Sequence, residues 1–242
     1  MKLHIIHTND LHNHFPEKII HQILQKDSLL FDSGDAIQGS NLIYHFKEPI
    51  LHKMKKMGYT AMAMGNREFH YLRGCLKKRF QESSFPILAA NLLDLTGKTK
   101  MQDSFIYQKN GIKIGIFGLT VPQYPVGSKW EKVTGWRFLP AVESTKKTVK
   151  ALYDAKVDLV VCLSHSGFST DCALAEQVPG IDLILGGHSH TVLKEPQLVR
   201  SSIILQTGSH GRFIGSWNLS SDRQNGKYEP WKIEGGLISG II

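Results

Sequence analysis

Short polar segments of the sequence contain seven residues of metal-binding types. They are two carboxylates, one amide and four imidazoles: Asp10, His12, Asp35, Asn66, His165, His188 and His190. This mixed set suits borderline or hard divalent ions such as Mn, Fe, Co, Ni or Zn, and it disfavours redox copper. Two such ions beside two carboxylates would keep a net positive charge and lower the pKa of a bridging water. The residue types therefore predict two divalent metal ions as cofactors and a phosphate ester as substrate.

The spacing of these residues indicates how they would share the two ions. Asp10 and His12 are two positions apart, and such residues point the same way in an extended chain, so one ion can bind both. His188 and His190 have the same spacing but follow two glycines, where their rings can diverge to different ions. Asp35 follows a glycine and has two oxygens, so it can bridge the pair.

Each polar segment follows a short apolar run that is typical of a β-strand. These runs lie at 3–6, 28–31, 61–64, 112–117, 159–163 and 183–185. Helical stretches separate several of them, at 16–25, 51–57 and 140–155. Alternating strands and helices predict a largely parallel sheet whose carboxyl ends collect the polar segments.

Later apolar runs predict a second sheet packed on the first. They lie at 203–205, 213–219 and 231–233, with a turn predicted at 222–226. The sequence has no internal repeat, linker or low-complexity tract. We therefore expect residues 1–242 to form one α/β domain.

Composition narrows the class of protein and of partner. With 41% hydrophobic and 21% charged residues, the sequence is globular and not collagen-like, coiled-coil or disordered. A net charge of +8 favours an anionic partner. The basic clusters at 53–56 and 77–79 are interpreted as solvated helix faces, so nucleic acid is not the expected partner. The cysteines form no CxxC motif, and the sequence shows no signal segment, so we expect a cytoplasmic protein. No apolar run is long enough to cross a bilayer, so we expect no membrane partner.

Five motifs occur in an order that resembles a known family. They are Asp10-Leu11-His12, Gly34-Asp35, Gly65-Asn66, Ser164-His165 and Gly187-His188-Ser189-His190. Their order and rough spacing resemble the calcineurin-like metallophosphoesterases. Segments 7–12, 34–39 and 90–92 resemble the 5'-nucleotidase and 2',3'-cyclic phosphodiesterase branch of that family. The resemblance implies a four-layer α/β/β/α metallophosphoesterase sandwich.

The resemblance also implies a distribution of ligands and an activity. One metal ion would be held by Asp10, His12, Asp35 and His190. The other would be held by Asp35, Asn66, His165 and His188. The implied activity is hydrolysis of phosphate esters, with 5'-nucleotides as the expected substrates, by a hydroxide that the dinuclear site activates.

One motif departs from the family pattern at two positions. After Gly-Asn the family has a histidine that contacts the phosphoryl group and helps the leaving oxygen depart, and Arg67 stands there in this sequence. His70 stands where nucleotidases often have an aspartate. Arg67 cannot donate a proton because its pKa lies above about 12, but it can hydrogen-bond phosphoryl oxygens. Asn66, Arg67 and His70 are the candidate catalytic residues.

Several alternatives remain open at this stage. Branch members carry a C-terminal domain whose aromatic residues stack the nucleobase, and we expect no such domain within residues 1–242. The segment from Val121 to Trp130, with Trp136, can line a base pocket, although a packed surface loop is the favoured interpretation. His210, in a glycine-flanked loop, is a candidate for contacting substrate.

The rival functions are a metal-bound sensor or scaffold for a phosphate ligand and, third, a cyclic phosphodiesterase or nuclease. The sequence indicates nothing about oligomeric state.

Overall fold

Two six-stranded β-sheets lie face to face in the computed structural model, which describes residues 1–99, 101–222 and 230–240. The turn predicted at 222–226 lies largely outside these residues.

The first sheet combines a parallel half with an antiparallel edge. Its strands, in order across the sheet, are β14 (Lys232–Ser239), β13 (Phe213–Ser220), β1 (Lys2–Thr8), β2 (Ser28–Asp32), β3 (Ala61–Ala63) and β4 (Ile87–Leu88). Strands β1 to β4 are parallel, whereas β13 is antiparallel to both of its neighbours. The carboxyl ends of β1, β2 and β3 therefore meet at one edge.

The second sheet has a parallel centre between antiparallel edge strands. Its strands, in order, are β11 (Gln197–Val199), β12 (Ser202–Leu205), β10 (Leu183–Gly186), β9 (Leu159–His165), β7 (Ile112–Thr120) and β6 (Ser104–Lys109). Strands β12, β10, β9 and β7 are parallel. A separate antiparallel pair consists of β5 (Leu92–Asp94) and β8 (Trp136–Phe138).

Helices cover the outer faces of both sheets. They are α1 (Glu17–Ile23), α2 (Pro49–Met57), α3 (Arg73–Ser83), α4 (Lys129–Thr134), α5 (Ala141–Asp154) and α6 (Phe168–Gln177). Buried Ile20 of α1 and Met54 of α2 share one apolar cluster with Ile6 of the first sheet. Buried Leu152 of α5 and Leu174 of α6 share another with strands of the second sheet.

Side chains alternate along the strands, and this alternation builds the middle of the molecule. Ile6 faces the helices, whereas its neighbour Ile5 joins a cluster between the sheets that includes Leu163 and Leu185 of the second sheet. The order of layers is therefore helix, sheet, sheet, helix. The predicted α/β/β/α sandwich is confirmed.

The predicted strands and helices are present, most of them with ends that shift by a few residues. The predicted division into sheets is wrong: the runs at 213–219 and 231–233 join β1 in the first sheet, and the runs at 112–117, 159–163 and 183–185 belong to the second sheet.

A helix was expected around residues 77–79, but without bounds; the buried side chains of α3 include one aliphatic residue, Leu76, beside Arg79 and Ser83. A helix without an apolar stripe gives little periodic signal. Among the described residues, none of the helices is long and apolar enough to cross a membrane.

Candidate metal centre

The carboxyl ends of five strands bring the seven candidate ligands to one edge of the two sheets. The ligands follow β1 (Asp10 and His12), β2 (Asp35), β3 (Asn66), β9 (which ends at His165) and β10 (His188 and His190). Parallel neighbours place their carboxyl ends side by side, which is where α/β proteins bind ligands. The structure thus brings these residues together as the sequence predicts.

The backbone at this edge adopts an unusual conformation. Five of the seven candidates are non-glycine residues with φ between 45° and 70°: Asp10, His12, Asp35, His188 and His190. This left-handed region is costly for such residues and is concentrated at functional sites. Hydrogen bonds of 2.9 Å from Asp10 N–H to the Gly34 carbonyl and from His12 N–H to the Asp35 carbonyl hold the loops in place.

Two glycines allow these loops to approach each other. A Cβ atom at Gly34 would lie 2.8 Å from Nδ1 of His165, and one at Gly65 would lie 2.3 Å from Oδ1 of Asp35. Both separations are too short for real atoms. The glycines of the Gly34-Asp35 and Gly65-Asn66 motifs are therefore required by the close packing of backbone around Asp35 and His165.

One group of possible ligands consists of Asp10, His12 and His190. Oδ1 of Asp10 lies 3.3 Å from Nε2 of His190 and 4.0 Å from Nε2 of His12. The two imidazole Nε2 atoms are 3.2 Å apart. Asp10 is fully buried, and its other oxygen accepts hydrogen bonds from Asn9 Nδ2 and from the His188 backbone N–H.

The second group is centred on His165. Its Nδ1 lies 2.7 Å from the Ser33 carbonyl, so a neutral ring donates there and leaves the Nε2 lone pair free. That Nε2 lies 3.4 Å from Asp35 Oδ1 and 3.2 Å from Asn66 Oδ1. The ring of His188 lies edge-on to that of His165, with centroids 5.1 Å apart.

Apart from the 4.0 Å between Asp10 and His12, these spacings fit divalent cations. Two ligand atoms that are each about 2.1 Å from one ion lie about 3 to 3.5 Å from each other. Asp10, His12 and His190 form one set of mutually close ligand atoms, and Asp10, Asp35 and His165 form another. Asp10 belongs to both sets, whereas the sequence analysis assigned the bridging role to Asp35, so the identity of the bridge stays a prediction.

The pKa values favour ligand forms of several side chains. Burial, with a further contribution from the Arg67 guanidinium, lowers the pKa of His12 to about 4, so this ring is neutral at pH 7. Burial acts to raise the pKa of Asp10, but contacts with His190, His165 and Asn9 hold it below its ordinary value. His190 is the exception, because its hydrogen bond to Asp10 raises its pKa and so favours the protonated ring, which cannot bind a metal ion.

Glu68 supports the loop that carries Asp35, and the sequence analysis gave it no role. Its buried carboxylate accepts hydrogen bonds of 2.8 to 3.2 Å from the backbone N–H groups of Asp35, Ala36, Ile37 and Gly65. The signal in the sequence was its position directly after Arg67. Glu68 thus joins the loops after β2 and β3.

Arg67 and Asn66 both face the candidate metal centre. The Arg67 backbone N–H donates to Asp35 Oδ1 at 2.7 Å, and its Nε lies 3.8 Å from Asp35 Oδ2. Its Nη1 donates to the carbonyl of Gln38 at 3.1 Å. About a third of the Arg67 side chain stays exposed, so its remaining N–H groups can reach a bound anion.

His70 is not among the residues that the structure gathers at this centre. It is buried, its Nδ1 accepts the backbone N–H of Leu72, and its ring lies 6.2 Å from that of Tyr44. Burial is the main cause of the lowered pKa of His70. A catalytic role for His70 stays a prediction.

Arg79 corrects the interpretation of residues 77–79 as a solvated helix face. Its side chain is buried, and its guanidinium donates to five backbone carbonyls. These are the carbonyls of Arg67, Glu68, Phe69, Ser40 and Ile43. Arg79 therefore fixes the loop after β3 to the loop after β2, and one charge of the basic cluster is not available to an external partner.

His210 lies at the rim of the centre. Its ring centroid is 4.8 Å from that of His12, 5.9 Å from that of His190 and 5.1 Å from that of His14. Its backbone N–H donates to the Asp10 carbonyl at 2.7 Å. The structure thus places this candidate for substrate contact beside the proposed ligands and adds His14, which the sequence analysis did not single out.

Comparison with known proteins supports the same interpretation. The chain is 32% identical to an uncharacterized metallophosphoesterase, YunD, from Bacillus subtilis, over 91% of this chain and 50% of that protein. It is also 32% identical to a 5'-nucleotidase of Vibrio cholerae, over 99% of this chain and 48% of that protein. The chain therefore spans about half the length of these relatives.

A solved structure and a family profile agree with these relatives. The structure of a 5'-nucleotidase precursor from Thermus thermophilus matches with a TM-score of 0.83 and 25% identity, over 99% of this chain and 55% of that one. The profile of the calcineurin-like phosphoesterases matches residues 3–192, which include all seven candidate ligands. The chain belongs to the calcineurin-like phosphoesterase family.

Proposed function

We propose that this chain is a metal-dependent phosphoesterase that hydrolyses phosphate monoesters, with 5'-nucleotides as its principal substrates. The observation that carries the proposal is the convergence of two buried carboxylates and three imidazoles into two overlapping ligand sets. The similarity to 5'-nucleotidases supports the choice of nucleotides.

The ligand assignment follows the two sets. Asp10, His12 and His190 would hold one ion, and Asp35, Asn66, His165 and His188 would hold the other. The donors are nitrogen and oxygen atoms, which suits Mn, Fe, Co, Ni or Zn. Two bound divalent ions supply a water of lowered pKa and neutralise the charge of the phosphoryl oxygens.

Arg67 orients the phosphoryl group in this proposal. Its contacts with Asp35 and the Gln38 carbonyl fix the guanidinium plane, while its free N–H groups donate charge-assisted hydrogen bonds to phosphoryl oxygens. The Asn66 carbonyl oxygen lies 3.2 Å from Nε2 of His165, on the side of the second ligand set, so the amide NH₂ stays available to donate to the same phosphoryl group.

The leaving oxygen receives no proton from Arg67, because a guanidinium does not release one near neutral pH. The chain should therefore prefer esters whose leaving groups are stable as anions. Aryl phosphates and phosphoanhydrides should turn over faster than alkyl phosphates, a class that includes nucleoside 5'-monophosphates, so adenosine 5'-monophosphate should turn over more slowly than p-nitrophenyl phosphate.

The test is hydrolysis of p-nitrophenyl phosphate, bis(p-nitrophenyl) phosphate and adenosine 5'-monophosphate by the purified chain with Mn, Co, Ni or Zn. Asp35→Ala is the inactivating variant, and Asp154→Ala, an exposed carboxylate on α5, is the matched control. We expect metal-dependent monoester turnover that only Asp35→Ala abolishes. Two equivalents of bound metal without turnover would favour the sensor, and faster diester turnover would favour the phosphodiesterase.

A further inference from the structure

The structure has an apolar pocket with no role so far, built by segments that follow β2, β3 and β7. It has a volume of about 490 Å³ and includes Leu42, Leu72, Trp130 and Val133 in its lining. We refer to it as the Trp130 pocket. These four side chains are between 58% and 75% exposed, although large apolar side chains normally avoid water when they lie together.

Three loops build this pocket, and each begins at the edge that carries the candidate ligands. Leu42 belongs to the loop after β2, which also carries Asp35. Leu72 belongs to the loop after β3, which carries Asn66 and Arg67. Trp130 lies in α4 after β7, whose last residue is the register partner of His165 in β9.

Hydrogen bonds tie the three loops together. Asn41 Nδ2 donates to Gln123 Oε1 at 2.8 Å, which joins the loops after β2 and β7. The Tyr71 backbone N–H donates to the Asn41 carbonyl at 3.2 Å, which joins the loops after β2 and β3. The Arg67 side chain donates to Gln38 in the same β2 loop. The pocket and the proposed phosphoryl site are therefore parts of one connected set of loops.

Two polar side chains of the pocket wall, Arg73 and Thr134, already have partners. Arg73 donates to both oxygens of Asp94, at 2.9 and 3.3 Å, and its guanidinium carbon lies 4.9 Å from the centre of the Trp136 ring. The Thr134 hydroxyl donates to the Trp130 carbonyl and lies 2.6 Å from the Tyr124 hydroxyl. The pocket therefore offers apolar contact and ring stacking rather than hydrogen bonds to a ligand.

The aromatic residues around the pocket divide into two classes. Trp136 and Tyr124 are buried and pack on Phe138 and Phe69, as a packed loop requires. Trp130 is 58% exposed. The sequence analysis favoured a packed loop for the whole segment, and the structure separates Trp130 from the residues for which that interpretation holds.

We propose that the Trp130 pocket binds the aromatic part of the leaving group of a phosphate ester, such as a nucleobase, by stacking on the indole. The inference rests on the proposed function, since it locates the rest of the substrate whose phosphoryl group lies at Arg67. Stacking contributes binding energy with any base, because every base has a π-face. With Arg73 and Thr134 engaged, the pocket should accept purines, pyrimidines and simple aryl rings alike.

The test separates binding of the ring from chemistry at phosphorus. Trp130→Ala should raise KM about tenfold for adenosine 5'-monophosphate and p-nitrophenyl phosphate. The kcat for each of these esters, and the KM for glycerol phosphate, should stay within about twofold of the wild-type value. Trp130→Phe should restore most of the loss. Phe46→Ala is the matched control, because Phe46 is an aromatic residue that is more exposed than Trp130, at 84%, and lines a different cavity.

Two results would overturn the inference while leaving the proposed function intact. One is an unchanged KM for the aromatic esters in Trp130→Ala, and the other is an equal change for aromatic and aliphatic esters. If no ester turns over, the proposed function fails, and saturation-transfer NMR with adenosine 5'-monophosphate decides the remaining question. Ring-proton signals lost in Trp130→Ala but kept in Phe46→Ala support the pocket, whereas equal signals in all three proteins reject it.

Discussion

The two sheets contribute different halves of the candidate metal centre. The first sheet supplies both carboxylates, the amide and one imidazole, and it also supplies Arg67. The second sheet supplies the three remaining imidazoles, at His165, His188 and His190. The departures from the family pattern, at Arg67 and His70, both lie in the first half, so the difference between the halves locates the altered chemistry.

The supports beneath the two halves differ as well. In the first half, Glu68 is buried but its carboxylate accepts four backbone hydrogen bonds. In the second half, Asp171 of α6 is buried under Ser164 and accepts a hydrogen bond from that hydroxyl, while its Oδ2 has no partner among the described residues. A buried carboxylate with a full set of hydrogen bonds holds its loop rigidly. A buried carboxylate that lacks a partner for one oxygen is more stable in the protonated form.

Asp10 belongs to both ligand sets. Its replacement should therefore have the largest effect on activity and metal binding. Asp10→Asn keeps the size of the side chain but removes its charge from both ligand sets. We expect kcat/KM to fall about a thousandfold and bound Mn, measured by calorimetry, to fall below two equivalents. Asp154→Asn on the surface should change neither quantity. Full metal binding and activity in Asp10→Asn would mean that the two sets do not act as one centre.

Arg67→His would sharpen the comparison by restoring a proton donor to the first half. General acid catalysis helps poor leaving groups most, so we expect turnover of glycerol phosphate to rise about tenfold or more. Turnover of p-nitrophenyl phosphate should change little, because its leaving group needs no proton. The ratio of the two rates is the measurement, and Arg200→His on the surface is its control. An unchanged ratio would show that another residue already protonates the leaving oxygen.

The ligands of both halves could be predicted from sequence, because their signals are local. Each ligand follows a strand whose apolar residues are buried, and glycines flank several of them where backbones pack closely. These features depend on residues that are adjacent along the chain. A single sequence shows which residues are adjacent in this way, but not which ones meet in space. The layered fold was implied by the family resemblance, because the strands alone did not show how they divide between the two sheets.

The supports could not be predicted, because their partners are distant in sequence. Arg79 lies in a run of Lys and Arg on a helix, which normally indicates a solvated face, yet its guanidinium binds carbonyls from the loops after β2 and β3. The Trp130 pocket is similar, since it exists only where three separate loops converge. Contacts of this kind join residues that are far apart in sequence, so the sequence pattern around each residue does not predict them.

Asp171 gives the smallest expected effect and tests the support of the second half. Burial raises the pKa of Asp171 to about 8, against an ordinary value near 4, with the Ser164 hydrogen bond opposing the shift. Between these two values the folded chain keeps a proton that the unfolded chain releases. The free energy of unfolding should therefore fall as pH rises from about 5.5 to 7.5, by about 1 kcal/mol per pH unit from this group.

Asp171→Asn removes the titrating group. The free energy of unfolding should then depend less steeply on pH between about 5.5 and 7.5. Urea unfolding of both proteins at a series of pH values in EDTA measures the difference, and Asp154→Asn, an exposed carboxylate, should leave the wild-type slope intact. Parallel slopes in wild type and Asp171→Asn would mean that Asp171 is ionised in the folded chain. The two halves would then rest on charged carboxylates of the same kind, and the asymmetry of the centre would lie in Arg67 and His70 alone.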